Sequence, residues 1–138
     1  APELFGLPDI KLETLINNRV EGIEFVNDKR IIQANALDVI HGHEFGQGFF
    51  SPVNVARGLS LRAKTNAAQG HNHQTSEHTE TNLRGEIKTT WSIGCNCELH
   101  PEYLPINKWN HGFADVLLDT NGFDFTFKNY RVSKGKVL

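Results

Sequence analysis

The feature that most constrains the fold is the order strand, loop, helix, strand, loop in residues 37–73. Residues 37–41 form a short and mostly apolar run, which is typical of a buried strand. Ser51-Pro52 places a hydroxyl N-cap before a proline at the first helical position and predicts a helix that continues to about Lys64. The small residues at 67–69 predict a second strand. The segment is therefore expected to form a β-α-β unit.

Each predicted strand of this unit is followed by a pair of histidines, His41-Gly42-His43 and Gly70-His71-Asn72-His73. Ligands of open α/β sheets bind at the carboxyl ends of strands, so the two pairs are expected to share a site. Neutral imidazole is a common ligand for zinc, manganese and iron. We expect His41 to be a ligand because it lies nearer the rigid strand, and His43 to face substrate or support a ligand.

Composition excludes several other functions. The 138 residues are enough for one domain, and the net charge of −2 gives no basic surface for indiscriminate duplex binding. No apolar run approaches the ~20 residues that span a membrane. Two cysteines are too few for a disulfide framework, so a reducing, cytoplasmic setting is expected.

The flanking sequence predicts one helix and several hairpins. We expect a helix over residues 8–16, then strands over 22–26 and 30–33 joined by a turn at Asn27-Asp28. From residue 77 onward the chain is expected to be rich in β-structure, with an irregular stretch over residues 94–110. The expected strands are 78–84, 86–93, 112–118, 123–131 and 135–138.

The remaining histidines and the cysteines are weaker candidates for chemistry. For His78, His100 and His111, surface or structural roles are favoured over ligation. Cys95, Cys97 and His100 suggest a zinc site, but three ligands with no fourth nearby favour two cysteines that act as small buried hydrophobic residues. Neither a nucleophile elbow nor a phosphate-cradling glycine loop is present.

The strand ending in His-Gly-His, followed by a helix, a strand and Gly-His-x-His, resembles the carboxyl-terminal half of calcineurin-like metallophosphoesterases. The later segments 94–97, 101–103 and 109–114 resemble phage-type members of that superfamily. The resemblance implies a four-layer α/β/β/α sandwich with a dinuclear metal centre. It implies that His41 and His71 hold one metal and that His73 holds the other. We further expect His43 or Asn72 to contact the substrate phosphate.

The chain departs from the family because the Asp-x-His, Gly-Asp and Gly-Asn-His motifs are missing. The resemblance therefore implies a single domain or half-domain over residues 1–138, inactive alone. The complete enzyme is expected to hydrolyse phosphomonoesters or phosphodiesters, nucleic acid among them, with two divalent ions (Mn, Zn, Fe or Ni). The expected partner is the missing amino-terminal half or a second copy of the chain. Two alternatives remain open, a non-catalytic β-rich association module and a mononuclear histidine-metal protein.

Overall fold

The structure is a computed structural model that describes residues 12–17, 19–26, 31–45 and 53–138. The chain divides into two compact units, residues 1–30 and residues 31–138. The first unit contains helix α1 (Leu12–Asn17), which overlaps the helix expected over 8–16; residues 8–11 lie outside the described part. The expected strand over 22–26 is wrong, since these residues form a turn and irregular backbone. Asn27-Asp28, the expected turn, lies outside the described residues.

A five-stranded sheet organises the second unit, with strand order β1-β2-β3-β5-β4. Its strands are β1 (Ile32–Ala34), β2 (Leu37–Ile40), β3 (Ala67–Gln69), β4 (Ser76–Thr81) and β5 (Ile87–Ser92). Strands β2, β3 and β5 run parallel, and β1 and β4 add antiparallel edges. Strand β1 pairs with β2 through a two-residue turn at Asn35-Ala36 rather than with residues 22–26. Asn35 adopts φ 52°, which this residue type tolerates better than most.

Helix α2 (Val55–Ala63) connects β2 to β3 and completes the expected β-α-β unit. Its N-cap is Asn54, whose side chain accepts a hydrogen bond from the Arg57 amide at 2.9 Å. The helix thus begins after the expected Ser51-Pro52 start, and those two residues lie outside the described part. It ends as expected at Lys64, which takes the left-handed conformation.

Helix α2 packs against one face of the five-stranded sheet. Its buried positions are Val55, Ala56, Leu59 and Ser60. A buried hydrogen bond joins the two layers, since the Thr90 hydroxyl donates to the Ala56 carbonyl oxygen at 2.7 Å. The helix therefore fixes the crossover that brings the ends of β2 and β3 together.

The carboxyl-terminal residues form an antiparallel sheet of β6 (His111–Leu118), β7 (Phe125–Ser133) and β8 (Lys136–Val137). This sheet covers the other face of the five-stranded sheet, where Trp91 stacks on Phe127 with ring centroids 4.4 Å apart. Leu37 and Ala68 complete this core. The Trp91 indole nitrogen also donates to a Glu77 carboxylate oxygen at 2.9 Å, so the ring is buried without an unpaired N–H.

The α/β class and the strand-rich structure after residue 77 are confirmed. The second unit has three layers, a helix and two sheets. Within its described residues no helix covers the outer face of the three-stranded sheet, so the fourth layer of the expected sandwich is not seen there. None of the described helices is long and apolar enough to cross a membrane.

Candidate metal centre

His41 and His71 meet at the edge of the sheet where the parallel strands β2 and β3 end. Residues Val39 and Ala68 are paired in register, so the residues that follow the two strands emerge side by side. The Nε2 atom of His41 lies 2.9 Å from the Nδ1 atom of His71, and the ring centroids are 4.8 Å apart. Both rings are exposed, so a cation could reach them from solvent.

The backbone around His41 is held by a dense set of hydrogen bonds. The His41 carbonyl oxygen accepts from the amides of Gly70 at 3.1 Å and His71 at 2.8 Å. The Glu44 carboxylate accepts from the amides of His41 at 3.0 Å and Gly42 at 2.6 Å. Burial opposes ionisation of Glu44, but these amide hydrogen bonds outweigh it and hold the pKa of the carboxyl below its ordinary value. The carboxylate thus fixes the loop that carries the ring of His41.

Gly42 permits the close approach of the two histidine loops. Its φ of +117° lies in a region that side chains rarely adopt. A Cβ at this position would lie 2.8 Å from the Gln69 Oε1 atom and 3.0 Å from the Cβ atom of His71. The glycine between the two histidines is therefore required by both conformation and space.

His43 and Asn72, the expected substrate contacts, lie beside the same site. The ring of His43 has its centroid 4.9 Å from that of His41 and 6.1 Å from that of His71. It forms a cluster with them rather than standing apart. The Asn72 side-chain oxygen accepts a hydrogen bond from the Gln69 side-chain nitrogen Nε2 at 3.3 Å. Their contact with substrate stays a prediction.

His73 points to a different set of side chains. Its φ of 56° is in the left-handed region, which is uncommon for a residue that is not glycine. The ring packs edge-on against Trp109 with centroids 4.4 Å apart, and its Nδ1 atom lies 3.6 Å from the Cys97 Sγ atom. The structure therefore joins His41 to His71 directly and turns His73 toward the cysteines.

The ligand atoms of His73, Cys95 and Cys97 all lie within 4.8 Å of one another. The sequence favoured two buried cysteines over a zinc site with His100; Cys95 is buried as expected, but Cys97 is exposed and His100 is not part of the cluster. The Nδ1 atom of His100 instead lies 3.2 Å from the Pro105 carbonyl oxygen. The spacing of Cys95 and Cys97 was the usable signal, but the histidine that joins them is distant in sequence.

Burial and neighbouring rings affect the protonation of these groups. Desolvation, assisted by the charges of His71 and His43, lowers the pKa of His41. Desolvation followed by the charge of His71 lowers the pKa of His73. Both rings are therefore neutral at pH 7, which is the form that binds metals. Burial, followed by the hydrogen bond to Cys97, raises the pKa of the Cys95 thiol.

Two of the other histidines have structural partners, as expected. His78 lies 3.5 Å from a Glu80 carboxylate oxygen. The Nε2 atom of His111 lies 2.9 Å from the Cys97 carbonyl oxygen, so this ring supports the cysteine loop. A cavity of about 710 Å³ lies elsewhere, lined by residues such as Asn35, Asn66 and Phe123, and contains none of the candidate ligands.

Comparisons with known proteins give a fold likeness only. No protein-family model and no curated protein matches the sequence. The solved structures that resemble it include a single mutant of Vps29 from Entamoeba histolytica, with a TM-score of 0.49 and 14% identity. A double mutant of the same protein has a TM-score of 0.49 and 13% identity. Each alignment covers 87% of this chain and 62% of the Vps29 chain. Vps29 has the calcineurin-like metallophosphoesterase fold.

Proposed function

We propose that this chain is the carboxyl-terminal portion of a metal-dependent phosphoesterase and supplies the histidine ligands of a dinuclear centre. His41 and His71 hold one divalent ion, and His73 contributes to the other. The carboxylates that complete the centre belong to sequence outside this chain. The observation that carries the proposal is the 2.9 Å approach of the His41 Nε2 and His71 Nδ1 atoms at the ends of adjacent parallel strands.

The chemistry and spacing of the two rings fit a metal. Two imidazole nitrogens bound to one tetrahedral zinc ion lie about 3.3 Å apart, given metal–nitrogen bonds of about 2.0–2.1 Å. The observed separation of 2.9 Å is only a few tenths of an ångström shorter. Since desolvation lowers the pKa of His41, its ring needs no deprotonation at pH 7 to act as a ligand.

The surrounding residues suit a phosphoester substrate. When bound, divalent metals supply Lewis-acid chemistry that polarises phosphoryl oxygens. His43 and Asn72 lie beside the ligands and are proposed to orient the phosphate. The net charge of −2 selects no particular substrate, so phosphomonoesters, nucleotides and nucleic-acid diesters all remain candidates. The chain spans 62% of the length of the Vps29 structures that resemble it.

Calorimetric titration of the 138-residue chain with Mn²⁺ and Zn²⁺ tests the proposal. We expect His71→Ala to weaken binding at the His41–His71 site at least about tenfold, since a supporting residue alone is worth 10–100-fold. His100→Ala is the matched control, because this exposed ring contacts only a loop carbonyl in the structure. Equal affinities of the wild type and His71→Ala for both ions would overturn the proposal.

A second candidate function is association through exposed apolar strands. Strand β1 is an edge of the five-stranded sheet. Its first residue, Ile32, is 46% exposed, and Ile31 just before it is 62% exposed. On the three-stranded sheet, Leu117 is 70% exposed. An edge strand with apolar side chains is a template for pairing with another chain. The missing half of the enzyme or a second copy of this chain is the proposed partner.

A further inference from the structure

We infer that His73, Cys95 and Cys97 form a zinc site with two thiolate ligands. The inference deepens the proposed function, because it identifies the ligands and the chemical class of the second metal. It does not depend on phosphoesterase activity, since it concerns the ligands alone. Two thiolates and one imidazole are soft to borderline donors, a set that favours zinc over manganese or magnesium.

The separation of His73 and Cys97 matches tetrahedral zinc. With zinc–sulfur bonds of about 2.3 Å and zinc–nitrogen bonds of about 2.0–2.1 Å, a nitrogen and a sulfur ligand lie about 3.6 Å apart. The Nδ1 atom of His73 and the Sγ atom of Cys97 are 3.6 Å apart. All three donor atoms lie within 4.8 Å of one another. Two sulfur ligands of one tetrahedral zinc ion lie about 3.8 Å apart, so binding would require the remaining thiol to move by at most about 1 Å.

Three segments distant in sequence are tied together by backbone hydrogen bonds around this cluster. The amide of Asn110 donates to the His73 carbonyl oxygen at 2.9 Å, and the amide of Cys95 donates to the Asn110 carbonyl oxygen at 3.0 Å. The amide of Gly112 donates to the Cys95 carbonyl oxygen at 3.2 Å. The ligands are thus positioned by the fold and not by their own loops alone.

Neighbouring side chains also support the ligands. The Asn110 side chain accepts from the Thr75 amide at 2.8 Å and donates to the Thr75 hydroxyl at 2.7 Å. His111 contacts the Cys97 carbonyl oxygen, and Trp109 packs against the ring of His73. The left-handed backbone conformation of His73 places its ring beside the Cys97 thiol. Such local strain is often found at binding sites.

Three protein ligands and an exposed Cys97 leave the fourth position of a tetrahedral ion open to solvent. This arrangement is typical of catalytic zinc sites, whereas structural sites use four protein ligands. His73 and His71 belong to one loop and are two residues apart in sequence. The thiolate site therefore lies beside the His41–His71 site.

Cobalt(II) substitution of the reduced 138-residue chain tests this inference. We expect a thiolate-to-cobalt charge-transfer band in the near ultraviolet, with an intensity that corresponds to two thiolates. Cys97→Ser should halve that band and weaken zinc binding at least about tenfold. Cys97 is exposed, so this variant keeps the fold, which circular dichroism verifies. Cys95→Ala should give the same halving.

Two controls separate the possible causes of a negative result. His100→Ala should keep the full band, since its ring contacts the Pro105 carbonyl oxygen and is not one of the three clustered ligands. His41→Ala should keep the thiolate band while weakening the other site, so the two proposals fail independently. A wild-type protein without the band would show that the 3.6 Å contact is a thiol–imidazole hydrogen bond and would overturn the inference. A full band in Cys97→Ser would overturn it as well.

Discussion

His71 contacts His41 through both its backbone and its ring. The His71 amide donates to the His41 carbonyl oxygen at 2.8 Å, and the two ring nitrogens lie 2.9 Å apart. This backbone hydrogen bond continues the parallel pairing of β2 and β3 just past the ends of the two strands. The geometry of the two rings is therefore set by strand pairing, and changes in the loop between His41 and His43 should affect both stability and metal binding.

Gly42→Ala is expected to lower the free energy of unfolding by at least about 2 kcal/mol. The new methyl group would meet Gln69 and His71, and φ of +117° is strained for alanine. Gly85→Ala is the matched control, since Gly85 also has positive φ (+79°) but nothing lies within 4 Å of an added Cβ. That variant should lose about 1 kcal/mol. Urea unfolding measures the free energy of unfolding of both variants. An equal loss in the two would show that the contact with His71 does not contribute to the cost of Gly42→Ala.

Glu44 is expected to make stability sensitive to acid. Its pKa is lowered in the folded protein, because the amide hydrogen bonds outweigh the effect of burial. A lowered folded-state pKa gives stability that is full above the ordinary value of 4.5 and is lost as pH falls through the folded-state value. Glu44→Gln should be less stable than the wild type at pH 7, and the difference should shrink below about pH 4.5.

The lowered pKa values of His41 and His73 act in a different pH window. Their neutral forms are favoured by folding, so their stabilising effect is lost as pH falls below the ordinary histidine value of 6.5. The charge of Glu44 raises the pKa of His41 and so partly opposes this loss, which Glu44→Gln should therefore deepen. The titration of the carboxylate itself is seen at lower pH, where the difference between Glu44→Gln and the wild type shrinks. Stability curves that stay parallel between pH 6 and the acid limit would rule out the carboxylate as the cause.

Phe127 is expected to stabilise the contact between the two sheets. Its ring stacks on Trp91, which is only 7% exposed. Phe127→Ala should cost about 2–4 kcal/mol, because it removes a half-buried ring and leaves a gap beside the indole. Phe123→Ala is the control, since Phe123 is 68% exposed and surface changes usually stay within about 0.5 kcal/mol. Thermal unfolding followed by tryptophan fluorescence should separate them.

The sequence predicted the β-α-β unit because its signals are local. Apolar runs at β2 and β3, a helix between them and histidines at both strand ends were sufficient to place His41 near His71. The hairpin of β1 was missed because Asn27-Asp28 resembles a turn as strongly as Asn35-Ala36 does. Ile32 pairs with Val39 because β2 is held in place by the core that contains Leu37. The residues of a turn carry no information about that core.

The cysteine site was predicted only in part because it depends on distant contacts. The only histidine near Cys95 and Cys97 in sequence is His100, and without a fourth ligand nearby the pattern favoured two buried cysteines over a zinc site. The bridge between Cys95 and His111 joins the irregular stretch to the second sheet and directs the thiols toward His73. A left-handed backbone at His73 carries no sequence signature, so the ring's direction could not be read in advance.

Catalysis is expected only when this chain is combined with the carboxylate motifs that it lacks. The 138-residue chain alone should hydrolyse a chromogenic phosphodiester no faster than background in the presence of Mn²⁺ or Zn²⁺. In a protein that carries this chain together with those motifs, His73→Ala should lower hydrolysis by orders of magnitude, with His78→Ala as the control. Metal-dependent turnover by the chain alone would contradict the first expectation, and retained activity of His73→Ala would exclude this ring from the mechanism.

Strand β1 is expected to be the site of self-association. Ile32 is 46% exposed on an edge strand, and a lysine on such an edge opposes pairing with another chain. Size-exclusion chromatography with light scattering should show dimers of the wild type, and Ile32→Lys should shift them toward monomers. Leu83→Lys is the matched control, since this leucine is fully exposed in the turn between β4 and β5 and should leave the dimer unchanged. A wild type that stays monomeric at all concentrations would contradict self-association through this edge.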